Sequence, residues 1–236
     1  MDLQNLARAV WERITPTTAP DPGWWVLLAL AAALVVVAVP TLWRLARPAV
    51  TIVHELGHAI IGMLMGRRFT GFVVSGDMSG HAVTVGPRRG FGRIASTWAG
   101  YPAPALLGAV LVQVALQGWA STALFVALVV LVLSLVFTRS VHTVLAVLLS
   151  ALAVGATWWW GSPSVTALVT LVIGVFLLIG AWKHLGAVIT GGGRGDDPAQ
   201  LAQLTPIPGW LWITGYVVVL AVCTWWAWTA LGPQLF

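Results

Sequence analysis

The sequence predicts an all-α polytopic membrane protein of about six to seven transmembrane helices, with a small membrane-associated β-hairpin. Of its 236 residues, 59% are hydrophobic and only 8% are charged, whereas soluble domains carry about 25% charged residues. The same composition excludes a disordered chain, which is poor in apolar residues and rich in charge. The mean hydropathy is +0.92, and apolar runs of about 20 residues, the length that crosses a bilayer, recur along the chain.

Seven apolar runs are long enough to cross a bilayer as helices. A polar segment over residues 1–22 precedes them, with an interfacial helix predicted around Leu3–Ile14. Because no second soluble domain is evident, residues 1–236 are taken as one membrane-embedded domain. The predicted spans are Trp24–Trp43, Pro48–Gly66, Ile94–Leu116, Trp119–Phe137, Val141–Trp160, Ser164–Trp182 and Trp210–Leu231.

The segment after the second span has a different pattern. Two β-prone stretches, Phe69–Val74 and His81–Val85, flank turn-forming residues at positions 76–80. Short β-branched and aromatic stretches around a glycine-rich turn are typical of a β-hairpin. The sequence therefore predicts a hairpin between the second and third spans.

The basic residues predict the orientation in the membrane. With seven alternating crossings, one side receives ten basic residues, and the other side receives only Arg44 and Arg47. The positive-inside rule then puts the N-terminus, the hairpin and the Asp196-Asp197 loop in the cytoplasm, with Gly161 outside. The ten residues are Arg8, Arg13, Arg67, Arg68, Arg88, Arg89, Arg93, Arg139, Lys183 and Arg194.

The net charge of +5 is scattered among apolar runs. A nucleic-acid partner would favour a clustered basic face, so we predict the lipid bilayer as the partner of these charges and no nucleic acid. A single cysteine, Cys223, excludes a disulfide framework and a cysteine-rich zinc module. The sequence does not specify an oligomeric state.

One acidic residue, Glu55, falls inside a predicted span, between two histidines in His54-Glu55-Leu56-Gly57-His58. A carboxylate at membrane depth costs several kcal/mol unless it is paired or solvated. His54 and His58 are four residues apart, so both imidazoles lie on one helical face and can reach a single metal ion. Zinc lowers the pKa of water to about 7, and Glu55 is placed to accept the proton.

This pattern predicts Zn²⁺ as the cofactor, with His54 and His58 as ligands and Glu55 as the catalytic base. The alternative is a polar contact between helices, made by the same three side chains. Since the predicted spans contain so few ionisable residues, the metal site is the favoured interpretation.

The stretch from Val53 to Arg68 resembles the zinc-binding helix of the site-2 proteases, a family of intramembrane zinc metallopeptidases. Gly80–Thr84 resembles the membrane-associated hairpin that follows this helix in the family, and Ala99–Pro102 resembles its Ala-Gly-Pro stretch. The resemblance is specific over about residues 48–110 and closest to small bacterial members that lack a PDZ domain. It implies zinc, peptide-bond hydrolysis within the membrane, and a third ligand, an aspartate from a later span.

The sequence departs from the family pattern at the third ligand. Neither of the strings usual there, Asn-Pro-Asp-Gly and Leu-Asp-Gly, occurs in this chain. Downstream of the histidines, the candidates are Asp77, in the hairpin turn, and the neighbours Asp196 and Asp197. We predict Asp197, with Asp196 as the alternative, in the loop over residues 191–209, since its glycine run permits an irregular backbone that lines a polar cavity. The competing interpretation is a solvated helix start, with Asp196 as N-cap and Pro198 in the first turn.

Other polar residues carry weaker expectations. The family often has an asparagine near the scissile carbonyl, and residues 99–104 contain none. His81 either faces the metal or is a plain surface residue of the hairpin. His142 and His184 follow basic residues at predicted cytoplasmic boundaries, where interfacial solvation accounts for them.

Together these features predict a zinc-dependent intramembrane endopeptidase in a cell membrane, the bacterial inner membrane by its resemblance. Its substrates would be membrane proteins or signal peptides, and an extended substrate segment could add to an open hairpin edge. The alternative is a zinc-binding membrane protein without peptidase activity, such as a chaperone, assembly factor or sensor. The presence of Glu55 argues against it, because metal binding alone needs only the histidines. A metal transporter ranks last, since the other spans are almost devoid of polar residues.

Overall fold

A computed structural model of the chain describes residues 3–16, 23–75, 80–191 and 195–235. Within these ranges the chain is mostly helical and carries one two-stranded antiparallel sheet. The elements are α1 (Leu3–Ile14), α2 (Trp24–Ala38), α3 (Pro40–Leu64), β1 (Arg68–Val74), β2 (Gly80–Val85), α4 (Phe91–Trp98), α5 (Pro102–Leu116), α6 (Ala120–Ser134), α7 (Val141–Trp160), α8 (Pro163–Gly191), α9 (Asp197–Leu204) and α10 (Gly209–Leu235).

In the described ranges, four spans are long and apolar enough to cross a membrane, and the number rises to six if each of two bent helix pairs counts as one span. The bent pairs are α2 with α3, at 100°, and α4 with α5, at 57°. The predicted fold class of about six to seven spans with a hairpin is confirmed, but the detailed division into seven is wrong at its beginning.

The break between the first two helices falls at Val39, not at Arg44–Pro48 as predicted. Val39 is extended (φ −81°, ψ 115°) and Pro40 starts α3, while Pro48 lies inside α3 without ending it. A proline sterically disfavours the helical conformation of the residue before it, and Val39 precedes Pro40, which explains the break at this point. The last carbonyls of a helix have no partner within the helix. In α2, the carbonyl of Val37 accepts a hydrogen bond from the Nζ atom of Lys183 on α8 (3.0 Å).

The core forms where α5 packs between α8 and α10. At the crossing of α5 and α8, a Cβ atom at Gly108 would lie 2.7 Å from the carbonyl oxygen of Gly174, and one at Gly174 would lie 2.9 Å from that of Gly108. Small residues let the backbones approach this closely, as is common between membrane helices. Because α4 leads into α5, this crossing also positions α4 beside α3.

The predicted hairpin is present, and both strands agree with the predicted stretches to within one residue. Its turn, residues 76–79, lies outside the described residues. The outer edge of β1 is covered by the start of α7, because the amide of Arg139 donates to the carbonyl of Phe72 (3.1 Å) and Thr143 Oγ1 accepts from the amide of Val74 (2.9 Å). Among the described residues, no strand pairs with the outer edge of β2.

The helix α1 lies at the end of the bundle opposite to the hairpin. Arg13 Nη1 donates to the carbonyl of Trp158 at the end of α7 (3.3 Å), and Thr122 Oγ1 at the start of α6 donates to the carbonyl of Ile14 (2.6 Å). The predicted topology put the N-terminus and Gly161 on opposite sides of the membrane, whereas α1 lies beside the end of α7 that leads to Gly161. If the bent pair of α2 and α3 counts as one span, the number of crossings before the hairpin is one lower than predicted, which would account for the difference.

Candidate metal centre

The helix α3 brings His54 and His58 onto one face, one turn apart. Their rings meet edge to face at a centroid distance of 4.7 Å, and the two Nε2 atoms lie 3.1 Å apart. Four-residue spacing on a helix places two side chains above one another, so local structure alone accounts for this pair.

Asp197 joins the pair from the other half of the chain. Its Oδ2 atom lies 3.3 Å from Nε2 of His54 and 3.2 Å from Nε2 of His58. It is the first residue of α9, which begins after a glycine with positive φ, Gly195 at 93°, and an extended N-cap, Asp196. Glycine suits this turn because other residues rarely adopt such a φ. The structure therefore brings together the predicted ligands His54, His58 and Asp197.

Asp196 does not join this group, and its side chain makes no capping hydrogen bond to α9 in the described structure. It is the N-cap and Pro198 lies in the first turn, as the competing interpretation predicted, yet Asp197 still reaches the histidines. Asp77, the remaining candidate, lies outside the described residues.

The three ligand atoms fit a divalent metal such as zinc. Their mutual distances are 3.1, 3.3 and 3.2 Å, and one face of a tetrahedron with metal–ligand bonds of about 2.0–2.1 Å has edges of about 3.3 Å. Space beside the nitrogens depends on Gly100, where a Cβ atom would lie 2.5 Å from Nε2 of His58 and 2.6 Å from Nε2 of His54. The donor set, its spacing and the open space beside it suit a metal ion.

The orientation of His58 is set by Ser96 on α4. Nδ1 of His58 lies 2.7 Å from the carbonyl oxygen of Ser96, and Ser96 Oγ donates back to the carbonyl of His58 at 2.8 Å. A carbonyl can only accept, so Nδ1 carries the proton and the Nε2 lone pair of the neutral ring points at the site. Sequence reasoning missed Ser96, because nothing local indicates that α4 packs on α3.

Glu55 is buried beside the histidines, with 2% of its surface exposed. The start of β2 covers it closely, since a Cβ atom at Gly80 would lie 2.5 Å from Oε1 of Glu55. Among the described residues, Oε2 has no hydrogen-bond partner. A buried carboxylate oxygen without a partner is costly, so this group has a reason other than stability to be there.

The two neighbouring aspartates differ in acidity. Burial raises the pKa of Asp197, but the positive charges that His58 and His54 acquire on protonation outweigh burial and hold its pKa below the usual range. For Asp196, burial and the nearby charge of Asp197 both raise the pKa. Asp197 is therefore the stronger acid of the two, and a carboxylate that binds a metal must be ionised.

A cavity of about 320 Å³ opens onto this group, with polar side chains from α3, β2, α4, α8 and α9 in its wall. His184 lies in this wall, and its buried Nε2 has no hydrogen-bond partner among the described residues. The prediction that interfacial solvation accounts for His184 is therefore wrong. His142 instead bonds the carbonyl of Val74 through Nδ1 (3.0 Å), and His81 lines the cavity from an exposed position on β2.

Sequence reasoning also missed Tyr101, whose ring meets that of His54 edge to face at 4.8 Å. It is buried, and its ring in turn contacts that of Tyr216 on α10 at a centroid distance of 5.0 Å, with the two planes tilted by 37°. The sequence feature that could have identified Tyr101 was its place in the Ala99–Pro102 stretch. These aromatic contacts pack the ring of His54 against α10 through Tyr101.

The fold and the site together are those of a helical protein with several membrane-spanning candidates, in which His54, His58 and Asp197 could hold a metal ion. The comparison of sequences assigns the family: the Peptidase M50B-like family model matches residues 27–227. The chain belongs to this family, that of the site-2 proteases. No curated protein and no solved structure matches the chain at a significant level.

Proposed function

We propose that this protein is a zinc-dependent intramembrane endopeptidase that cleaves transmembrane segments of membrane proteins or signal peptides. The observation that carries the proposal is the triangle of His54 Nε2, His58 Nε2 and Asp197 Oδ2, with edges of 3.1–3.3 Å, beside the buried Glu55. Membership in a peptidase family supports the reaction class.

In this mechanism His54, His58 and Asp197 hold the zinc ion. When bound, zinc supplies an electrophile for the peptide carbonyl and acidifies water at neutral pH. Glu55 accepts the proton of the attacking water at a carboxylate oxygen and delivers it to the nitrogen of the leaving amine. Burial of Glu55 under β2 keeps bulk water away from this carboxylate.

Substrate binding is proposed at the outer edge of β2. Hydrolysis needs an extended segment, because a helix occupies its carbonyls in its own hydrogen bonds. The edge of β1 is already covered by α7, whereas β2 borders the cavity through Gly80, His81 and Ala82. A substrate strand added to β2 would run past the proposed metal site.

The alternative is a zinc-binding membrane protein without peptidase activity. One observation favours it: residues 99–104 lack the asparagine that the family often has near the scissile carbonyl. Against it stands Glu55, since a chaperone, assembly factor or sensor gains nothing from a buried carboxylate with an oxygen that has no partner among the described residues.

The test compares purified wild-type protein with Glu55→Gln for bound zinc and for cleavage of a transmembrane reporter. We expect Glu55→Gln to keep zinc and to lose about 10²- to 10⁴-fold in cleavage rate, the usual effect of removing a general base. Glu12→Gln, on the exposed face of α1, is the matched control and should change neither. His54→Ala should lose most of the zinc.

Cleavage by Glu55→Gln at the wild-type rate would overturn the mechanism. Zinc retained by His54→Ala would overturn the site. Wild-type protein that binds zinc but cleaves no transmembrane or signal-peptide reporter would favour the non-peptidase alternative.

A further inference from the structure

The short helix α4 contacts both elements that carry the proposed ligands. Ser96 makes two hydrogen bonds to His58 on α3. Three residues earlier on the same face, Arg93 Nη2 donates to Oε1 of Gln200 on α9, at 3.2 Å. A single helix face thus connects the histidine pair with the helix that begins at Asp197.

Gln200 also reaches back to the turn before Asp197. Its Nε2 donates to the carbonyl of Gly195 at 3.1 Å, while Oε1 accepts from Arg93. The side chain therefore links α4 to the backbone on the N-terminal side of the ligand. Glutamine suits this task because one amide offers both an acceptor for a guanidinium and a donor for a carbonyl.

The turn at Gly195 is not closely packed by apolar side chains. Leu201 and Pro198 are buried and hold α9 against the core. At Gly195, however, a Cβ atom would meet nothing within 4 Å among the described residues. Two polar hydrogen bonds, from Arg93 to Gln200 and from Gln200 to the carbonyl of Gly195, connect this turn to α4.

We propose that Gln200 and Arg93 are positioning residues for the third metal ligand, acting through the turn at Gly195 to aim Asp197 Oδ2 at both histidines. The inference rests on the proposed function, since it assumes that Asp197 binds the metal. Residues that orient a ligand from behind typically change metal affinity by about 10- to 100-fold when removed.

The experiment measures Zn²⁺ affinity by competition with a chelating dye, and the visible spectrum of the Co²⁺-loaded protein. For Gln200→Ala we expect an affinity loss of about 10- to 100-fold and a changed Co²⁺ spectrum, because the carboxylate no longer completes the tetrahedral set. Gln203→Ala is the matched control: it removes the same side chain from an exposed position of the same helix and should change neither quantity.

Two conservative variants distinguish positioning from a general loss of structure. Arg93→Lys keeps a cationic donor for Oε1 of Gln200 and should recover most of the affinity that Arg93→Ala loses. Gln200→Glu keeps the acceptor for Arg93 but not the donor to Gly195, so its affinity should lie between wild type and Gln200→Ala.

Equal affinities and spectra for Gln200→Ala and Gln203→Ala would overturn the positioning role. If His54→Ala abolishes zinc binding at the same time, the proposed function stands and this inference alone fails. If wild-type protein binds no zinc, the proposed function fails, and the inference with it.

Discussion

At the scale of single residues, the proposed centre depends on small side chains as much as on its polar ones. A Cβ atom at Gly57 would lie 2.5 Å from Cβ of Ala103 and 2.8 Å from the carbonyl oxygen of Ala99, and one at Gly100 would meet both imidazoles. These two glycines let α3 approach the α4–α5 bend closely enough for Ser96 to bond His58. Distances of this size leave no room for a methyl group without moving backbone.

The residue-scale prediction separates the two adjacent aspartates. Asp197→Ala removes one of three proposed ligands and should sharply reduce Zn²⁺ affinity and abolish cleavage. Asp196→Ala should leave both nearly unchanged and cost less than about 1 kcal/mol of stability, because its side chain makes no capping bond in the described structure. Metal titration and thermal unfolding of both variants provide the measurement. Equal tolerance of both substitutions would remove α9 from the metal site.

At the scale of elements, the crossing of α5 and α8 determines where the bent helix pairs meet. Gly108 and Gly174 are in mutual backbone contact there, and α5 continues from the α4 bend that carries Ser96 and Gly100. Lys183, further along α8, contacts the carbonyl of Val37 and lies 4.2 Å from the ring centroid of Trp43. Helix α8 therefore supports both bends from one side.

The element-scale prediction concerns Gly174→Ala. Its Cβ would lie 2.9 Å from the carbonyl oxygen of Gly108 and 3.0 Å from the amide nitrogen of Val112, so we expect a destabilisation of about 1–3 kcal/mol from overpacking. Gly186→Ala on the same helix meets nothing within 4 Å among the described residues and should be neutral or stabilising by up to about 1 kcal/mol. Thermal unfolding in detergent compares them, and equal midpoints would contradict the tight crossing.

At the scale of the whole molecule, the two ends of the bundle differ in how many arginines they carry. Arginines cluster on and around the hairpin, while α1 with Arg8 and Arg13 lies at the other end. The positive-inside rule favours a cytoplasmic hairpin, and from it we predict that α1 lies outside, opposite to the orientation predicted from seven spans. The hairpin-end residues are Arg67, Arg68, Arg88, Arg89, Arg93 and Arg139.

This orientation predicts the outcome of cysteine labelling in intact cells, in a background where Cys223 is replaced by serine. An impermeant thiol reagent should label Arg8→Cys and Ser162→Cys from outside, and Arg89→Cys only after permeabilisation. Opposite accessibility of positions 8 and 162 would contradict the contact of Arg13 with Trp158. Arg194, which the sequence-based topology also assigned to a side, lies outside the described residues.

Local patterns in the sequence already determined the apolar spans, the two hairpin strands and the shared face of His54 and His58. Each depends on residues a few positions apart, whose geometry follows from helix or strand periodicity. The choice of the Asp196-Asp197 loop needed elimination among very few acidic residues, supported by the glycine run before it, and Asp196 stayed open as the alternative to Asp197.

Contacts between distant parts of the chain were decided only by the tertiary structure. The approach of Asp197 to the histidines, the bonds from Ser96 to His58 and the place of His184 in the cavity wall arise from packing of α4, α8 and α9 around α3. The bond from Lys183 on α8 to the carbonyl of Val37 on α2 likewise joins distant parts of the chain. Helix periodicity specifies which face a residue occupies, but the partner of that face depends on how closely the backbones approach, which glycines such as Gly100 and Gly108 permit.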